Sequence, residues 1–289
     1  MRLEGWRTNL SGPFEARRIV SVAPSNTEIL HALGLGRRIV GVDRWSDYPP
    51  RVNSLPRVGS DLRVDVERVT ALQPDLVVAS LHVPGMEDNL PAFERAGLAY
   101  LALGGLGLEG VWEDMRVIGR FLQREERAAA LVADIQQRMA RIADRGRGAL
   151  ERPRVHWEWS AHPVVAARRS WITEMLALAG AENVYADLDV ESVRVAPEEA
   201  IARQPDVVVA CWCGIHKLPA VERVLTRPGW QTTPAFRNRR VAVLSEAFFG
   251  RPGPRLAQGL DQLSAVLNTD LAQPSARKTR ALGSTRELG

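Results

Sequence analysis

Between Glu125 and Arg145 the chain reads EERAAALVADIQQRMARIADR, with Leu131, Ile135, Met139 and Ile142 at gaps of four, four and three. That spacing puts them on one stripe of a 3.6-residue helix. Alanines at 128 to 130, 133 and 140 add helix propensity, and no Gly or Pro occurs before Gly146. The pattern predicts one helix of 21 residues, which at 1.5 Å per residue spans about 31 Å, the length of a strut. On either side, short continuous apolar runs alternate with amphipathic ones, the signature of α/β folding.

Ahead of the strut, Arg18 to Pro24 reads as a strand and Ile29 to Leu33 as a helix, with Ser25 or Asn26 as its N-cap and Glu28 favouring its positive end. Free N–H groups at the carboxyl end of a strand are where open α/β sheets hold ligands. A second strand, Ile39 to Val42, runs into a loop in which Trp45 and Tyr48 stand beside Pro49 and Pro50, bulky rings in a stiff frame. The motif Ala-x-Gln-Pro-Asp-[Leu/Val]-Val-Val-Ala then occurs twice, with Asp75 and Asp206 separated by 206 − 75 = 131 residues. A second echo pairs Glu28 to Gly34 with Glu174 to Gly180, offset by 174 − 28 = 146. Two echoes in the same order predict two related α/β lobes, one on each side of the strut.

Motifs for chemistry are sparse. Gly105-Leu-Gly107-Leu-Glu-Gly110 matches the dinucleotide fingerprint G-x-G-x-x-G, but the fingerprint also needs a second parallel strand ending in an acid about 20 residues on. Here helices follow, predicted from Val111 to Leu122 and then along the strut, with a break near Gln123. His156-x-Glu158 resembles half of a zinc deaminase motif and lacks its Pro-Cys-x-x-Cys half. Cys211, Cys213 and His216 are candidate ligands for a soft metal, but C-x-C-x-x-H lacks a fourth ligand. No nucleophile elbow and no P-loop occurs. The motifs therefore offer no convincing catalytic constellation, and neither a resident metal nor a cofactor is expected.

Net charge is +4, and of 38 basic residues only Lys217 and Lys278 are lysines. The arginines are scattered rather than clustered with aromatics, which argues against nucleic acid. The N-terminal stretch lacks the apolar run of a signal peptide, and no stretch approaches a membrane span. As written the chain is thus expected in the cytoplasm. Residues 269–289 are polar and aperiodic, and a disordered tail is expected there.

Ser21-Val-Ala-Pro-Ser-Asn-Thr-Glu-Ile-Leu30, Trp45-Ser-Asp-Tyr-Pro-Pro50, the Leu-Gln-Pro-Asp-Leu-Val segment and Phe249-Gly-Arg-Pro-Gly-Pro-Arg255 resemble the helical-backbone class of ABC-transporter substrate-binding proteins, and within it the cobalamin-binding branch. The resemblance spans about residues 17 to 268. It implies an α/β fold of two Rossmann-like lobes, 17–122 and 151–268, joined by a backbone helix in 123–150, with the ligand in the cleft between lobes. It further implies a monomer in the periplasm or cell envelope. Its cargo would be cobalamin or another corrinoid, with haem or an iron–siderophore as alternatives and a nicotinamide-dependent enzyme as a rival of another class. Candidate ligand contacts are Pro24, Ser25, Trp45, Tyr48, Trp171, Phe248 and Phe249, with Arg251 and Arg168 or Arg169 for peripheral polar groups. Glu67 and Glu198, each eight residues before a Pro-Asp aspartate, match the acids that dock such proteins on transporter arginines. Where the branch has further cleft aromatics, this chain has Asp61, Ser80 and Ser192.

Overall fold

The computed structural model describes residues 5–146, 152–215 and 218–268. The apolar runs Leu76–Ser80 and Val207–Ala210 are buried along their whole length. They are central strands of two sheets covered on both faces. The first sheet runs, in spatial order, Trp6–Thr8, Tyr100–Leu103, Leu76–Ser80, Ile19–Ser21 and Ile39–Val42, parallel throughout except for Trp6–Thr8. In the second, Val241–Val243, Val207–Ala210, Arg154–Glu158 and Glu182–Asn183 are parallel, and Val164–Ala166 with Ser192–Arg194 extend it antiparallel. Numbered along the chain, the parallel strands of each sheet lie in the same order, fourth, third, first, second.

The internal repeat is the hinge of that shared topology. Gln73 and Gln204, at φ of 47° and 46°, close a helix in the left-handed region, and the Pro-Asp that follows opens the next strand. Asp75 then accepts hydrogen bonds from the N–H groups of Arg17 (2.7 Å) and Arg18 (3.0 Å), ahead of the neighbouring strand. Asp206 does the same with the Arg154 N–H at 2.9 Å. The second echo also ends alike, with Gly34 and Gly180 at φ of 78° and 80°.

The strut is the helix Glu125–Gly146, preceded by the helix Gly107–Phe121 and a turn at Gln123, whose φ is 55°. It packs against Gly107–Phe121 on one side and against Trp171–Leu178 and Leu256–Asn268 on the other. Its buried stripe is Ala128, Val132, Ile135, Met139, Ile142 and Ala143. Val132 takes the place expected for Leu131, which is half-buried at the flank. One continuous apolar cluster reaches from Ile19 and Leu101 through the strut to Trp157 and Leu263, so both sheets share a core on the helix side. Residues 147–151 and the expected tail, 269–289, lie outside the described residues.

Two local expectations are corrected. The helix predicted from Ile29 begins at Pro24, with Ala23 at its cap position and no side-chain cap, so Ser25 and Asn26 sit inside its first turn. Proline suits that first position because it lacks the N–H that would go unsatisfied. Likewise the helix predicted from Val111 begins at Gly107.

Candidate ligand-binding cleft

The carboxyl ends of the parallel strands of both sheets face one another across a cavity of about 310 Å³. Its first wall comes from the ends of the strands Ile19–Ser21, Ile39–Val42 and Leu76–Ser80 and the segments just past them, namely Pro24, Ser25, Trp45, Ser80, His82, Val83 and Met86, together with Asp61 at the turn of the small hairpin Gly59–Ser60 and Arg63–Val64. The second wall follows the strands Val207–Ala210 and Val241–Val243, with Cys213, Gly214, Glu246 and Arg251.

Trp45 is held by a buried polar chain. Asp43, fully buried, accepts the Trp45 N–H at 2.6 Å and the Ser46 hydroxyl. Ser46 in turn meets Thr27 Oγ1 at 2.8 Å, and Thr27 donates to Ser21 Oγ at 2.8 Å. Burial pushes the Asp43 carboxyl up to about 6 against those hydrogen bonds. The ring of Trp45 reaches toward the opposite lobe, where a Cβ built on Gly214 would lie 4.0 Å from its Cζ2. On the same wall, His82 Nε2 lies 3.0 Å from Asp114, whose carboxylate also accepts the Gly105 N–H at 3.1 Å.

Of the expected ligand contacts, Pro24, Ser25, Trp45 and Arg251 line the cavity. The others are placed elsewhere. Phe249 is fully buried in the core, its ring 5.0 Å from that of Trp157. Trp171 is 5% exposed and spends its indole N–H on the Phe249 carbonyl at 2.8 Å. Tyr48 and Phe248 are not among the lining residues and flank the Arg255 guanidinium, at 4.4 and 5.0 Å from their centroids. Arg168 is exposed away from the lining residues, and Arg169 forms a bidentate pair with Asp189 at 3.0 and 2.9 Å. Asp61 and Ser80 line the cavity, whereas Ser192 does not.

Arg251 is not a free cation. Only 6% exposed, it pairs with Asp47 at 2.5 Å and with Glu28 and Glu246 at 3.4 Å. Glu28 is therefore not the helix-dipole partner that its sequence position predicts. It is buried, and it binds Arg255 through Nε at 2.8 Å and again through Nη2. Burial raises the Glu28 carboxyl, and the two arginines oppose that rise. Its equivalent in the second echo, Glu174, accepts the Leu108 N–H at 2.6 Å, at the start of the helix Gly107–Phe121. Each of the two echoed glutamates thus reaches into the opposite half of the molecule.

That contact also corrects the dinucleotide rival. The helix end that a pyrophosphate would need is taken by Glu174. The glycines serve backbone-to-backbone packing, since a Cβ on Gly105 would meet the Gly110 oxygen at 2.2 Å. The pair His156 and Glu158 is likewise structural. His156 bonds Tyr185 Oη at 2.8 Å and Glu158 at 3.1 Å, and Glu158 also receives Trp212 and a bidentate Arg227. Cys211 is buried in the core, Cys213 lines the cavity, and His216 lies outside the described residues. Among the described residues no three His, Cys, Asp or Glu form a metal cluster, and no helix is long and apolar enough to cross a membrane.

Glu67 and Glu198 are each the second residue of a six-residue helix, Val66–Ala71 and Pro197–Ala202. Both are exposed, and neither forms an ion pair among the described residues, whereas neighbouring Arg68 pairs with Asp65 and Glu199 with Arg203.

A family model described as periplasmic binding protein matches residues 19–247. The chain belongs to that family. A vitamin B12-binding protein of Vibrio cholerae serotype O1 (strain ATCC 39541) is 29% identical over 261 residues, 89% of this chain and 91% of the relative. An uncharacterized ABC transporter substrate-binding lipoprotein of Bacillus subtilis (strain 168) is 32% identical, over 89% of this chain and 81% of its own. Among solved structures, a periplasmic heme-binding protein from Roseiflexus sp. RS-1 in apo form superposes with a TM-score of 0.76 at 31% identity, covering 89% of this chain and 100% of that one. The two-lobed α/β architecture with a connecting helix is that of these relatives. The family consists of solute-binding proteins, and the similar lipoprotein serves an ABC transporter.

Proposed function

We propose that this protein captures cobalamin or a related corrinoid in the cleft between its lobes and delivers it to an ABC transporter in the cell envelope, without catalysis. The lobes are taken as 17–122 and 151–268, joined through 123–150. The observation that carries the reading is the cavity itself. It sits between the strand ends of two sheets, has Trp45 and Met86 beside polar groups on its walls, and belongs to a chain that resembles vitamin B12-binding relatives along nearly its whole length. At about 310 Å³ it is at the low end for small-molecule sites, so it grips part of a macrocycle and leaves the remainder at the rim.

Docking through Glu67 and Glu198 is supported by their equivalent helix positions and by the lack of an ion pair to either among the described residues. The second reading, haem as cargo, is favoured by the 31% identical heme-binding structure. Titration calorimetry of the purified protein against cyanocobalamin, haemin and a ferric siderophore separates them. Submicromolar binding of cyanocobalamin is expected, and its absence at micromolar protein with tight haemin binding would replace the cargo.

A further inference from the structure

The cleft carries an electrostatic preference that its apolar walls do not explain. Asp61 comes from the first lobe and Glu246 from the second, and both line the cavity. Among the described residues, Arg251 is the one arginine or lysine of the lining, and its charge is engaged by Asp47, Glu28 and Glu246. A ligand entering here meets carboxylates from both sides and no uncommitted guanidinium or ammonium. Yet Arg251 is not fully satisfied. Its Nε is buried and has no hydrogen-bond partner among the described residues. A buried N–H with no acceptor is costly, but this one has almost no exposed surface to offer a ligand, and the guanidinium serves instead to hold the carboxylates around it.

Two carboxylates facing a ligand call for uncharged N–H donors on its edge, and the NH₂ of a primary carboxamide supplies them. A free carboxylate in the same place presents an acceptor only, and its charge opposes Asp61 and Glu246. Like-charge juxtaposition of this kind rejects wrong partners more strongly than any single contact attracts the right one.

We propose that Asp61 and Glu246, the latter held by Arg251, are specificity-determining residues that read carboxamide groups on the ligand's edge and turn away ligands bearing free carboxylates there. This rests on the reading of the cleft as a macrocycle site and divides its two cargoes by charge. Corrinoids with amidated side chains are admitted, and tetrapyrroles with ionised propionates are disfavoured.

The test compares ligands that differ only in that charge, by calorimetry at low ionic strength. One pair is cyanocobalamin and its monocarboxylic acids, in which a single side-chain amide has been hydrolysed. The other is haemin dimethyl ester and haemin. Wild-type protein is expected to favour the neutral member of a pair it binds by tenfold or more. The isosteric double variant D61N/E246Q, whose fold is checked by its melting temperature, is expected to cut that preference at least fivefold, chiefly by tightening the charged member. Equal affinity within each pair, or a preference unchanged in the double variant, overturns the inference while leaving the corrinoid reading intact if cyanocobalamin binds. Binding of the haem pair alone, with the ester preferred, keeps the charge selection and removes the corrinoid. Binding of neither pair removes both.

Discussion

At the scale of single residues, Asp43 ties the binding loop to pH. Its carboxyl sits at about 6 against an ordinary 3.8, because burial outweighs the bonds from Ser46 and Trp45. The native state therefore holds a proton that the unfolded chain has already released between those values. This contribution to stability is full below about pH 4 and is lost as pH rises toward 6, a change of roughly 3 kcal/mol. Melting temperatures across that window are expected to fall in the wild type by more than in Asp43→Asn, which cannot titrate. Arg255 acts differently, as one partner of a buried pair. Arg255→Ala leaves Glu28, 3% exposed on its side chain, with Arg251 alone, and a loss of about 3 kcal/mol is expected in urea unfolding. Little of this was legible from sequence. Glu28 and Arg255 are 227 positions apart, so Glu28 reads locally as a helix-start acid, and only the approach of the two lobes makes it an ion-pair partner. Phe248 and Phe249 show the same limit. In a short irregular segment no periodicity tells which ring turns inward, and contact with Trp157 on a distant strand decides it.

Elements were far more legible, because their causes are local. The Gln-Pro-Asp turn recurs because the same backbone problem, leaving a helix and entering a buried strand, is solved twice with the same hydrogen-bonding aspartate. The long helix was visible in its spacing and its lack of breakers, and its inner stripe moved by one residue once partners on two sides fixed its rotation. The glycine loop misled because G-x-G-x-x-G describes close backbone approach, and a phosphate is only one of the things that can approach. Here the first turn of the helix Gly107–Phe121 does so, through Gly110. Gly105→Ala would place a methyl 2.2 Å from the Gly110 oxygen, and backbone has no rotamer by which to yield. At least about 2 kcal/mol of destabilisation is expected by denaturant titration, with no response of the melting temperature to NAD in either protein. Cleft residues such as His82, Cys213 and Glu246 carried one usable signal, their position just past the end of a buried parallel strand.

For the whole molecule, the shared core beside the strut and the ion-pair cluster of Glu28, Arg255, Arg251 and the exposed Asp47 between the walls constrain the lobes at two places. Bending the connecting helix would also break its internal hydrogen bonds. Ligand-free and ligand-bound crystal structures are therefore expected to differ by a small rocking, and a rotation of tens of degrees would contradict this. Charge reversal at both Glu67 and Glu198 is expected to abolish uptake in cells while corrinoid affinity measured on the purified protein stays unchanged; unaltered uptake would remove the docking role. The reciprocal glutamates have one more consequence. A chain severed within 147–151 leaves the strut with the first half, its buried stripe uncovered where Trp171–Leu178 and Leu256–Asn268 had lain. Glu174 would lose its helix end and Arg255 its acid. The two polypeptides, produced together, should find each other and co-elute as a single noncovalent particle, each supplying the apolar face and the counter-group that the other lacks.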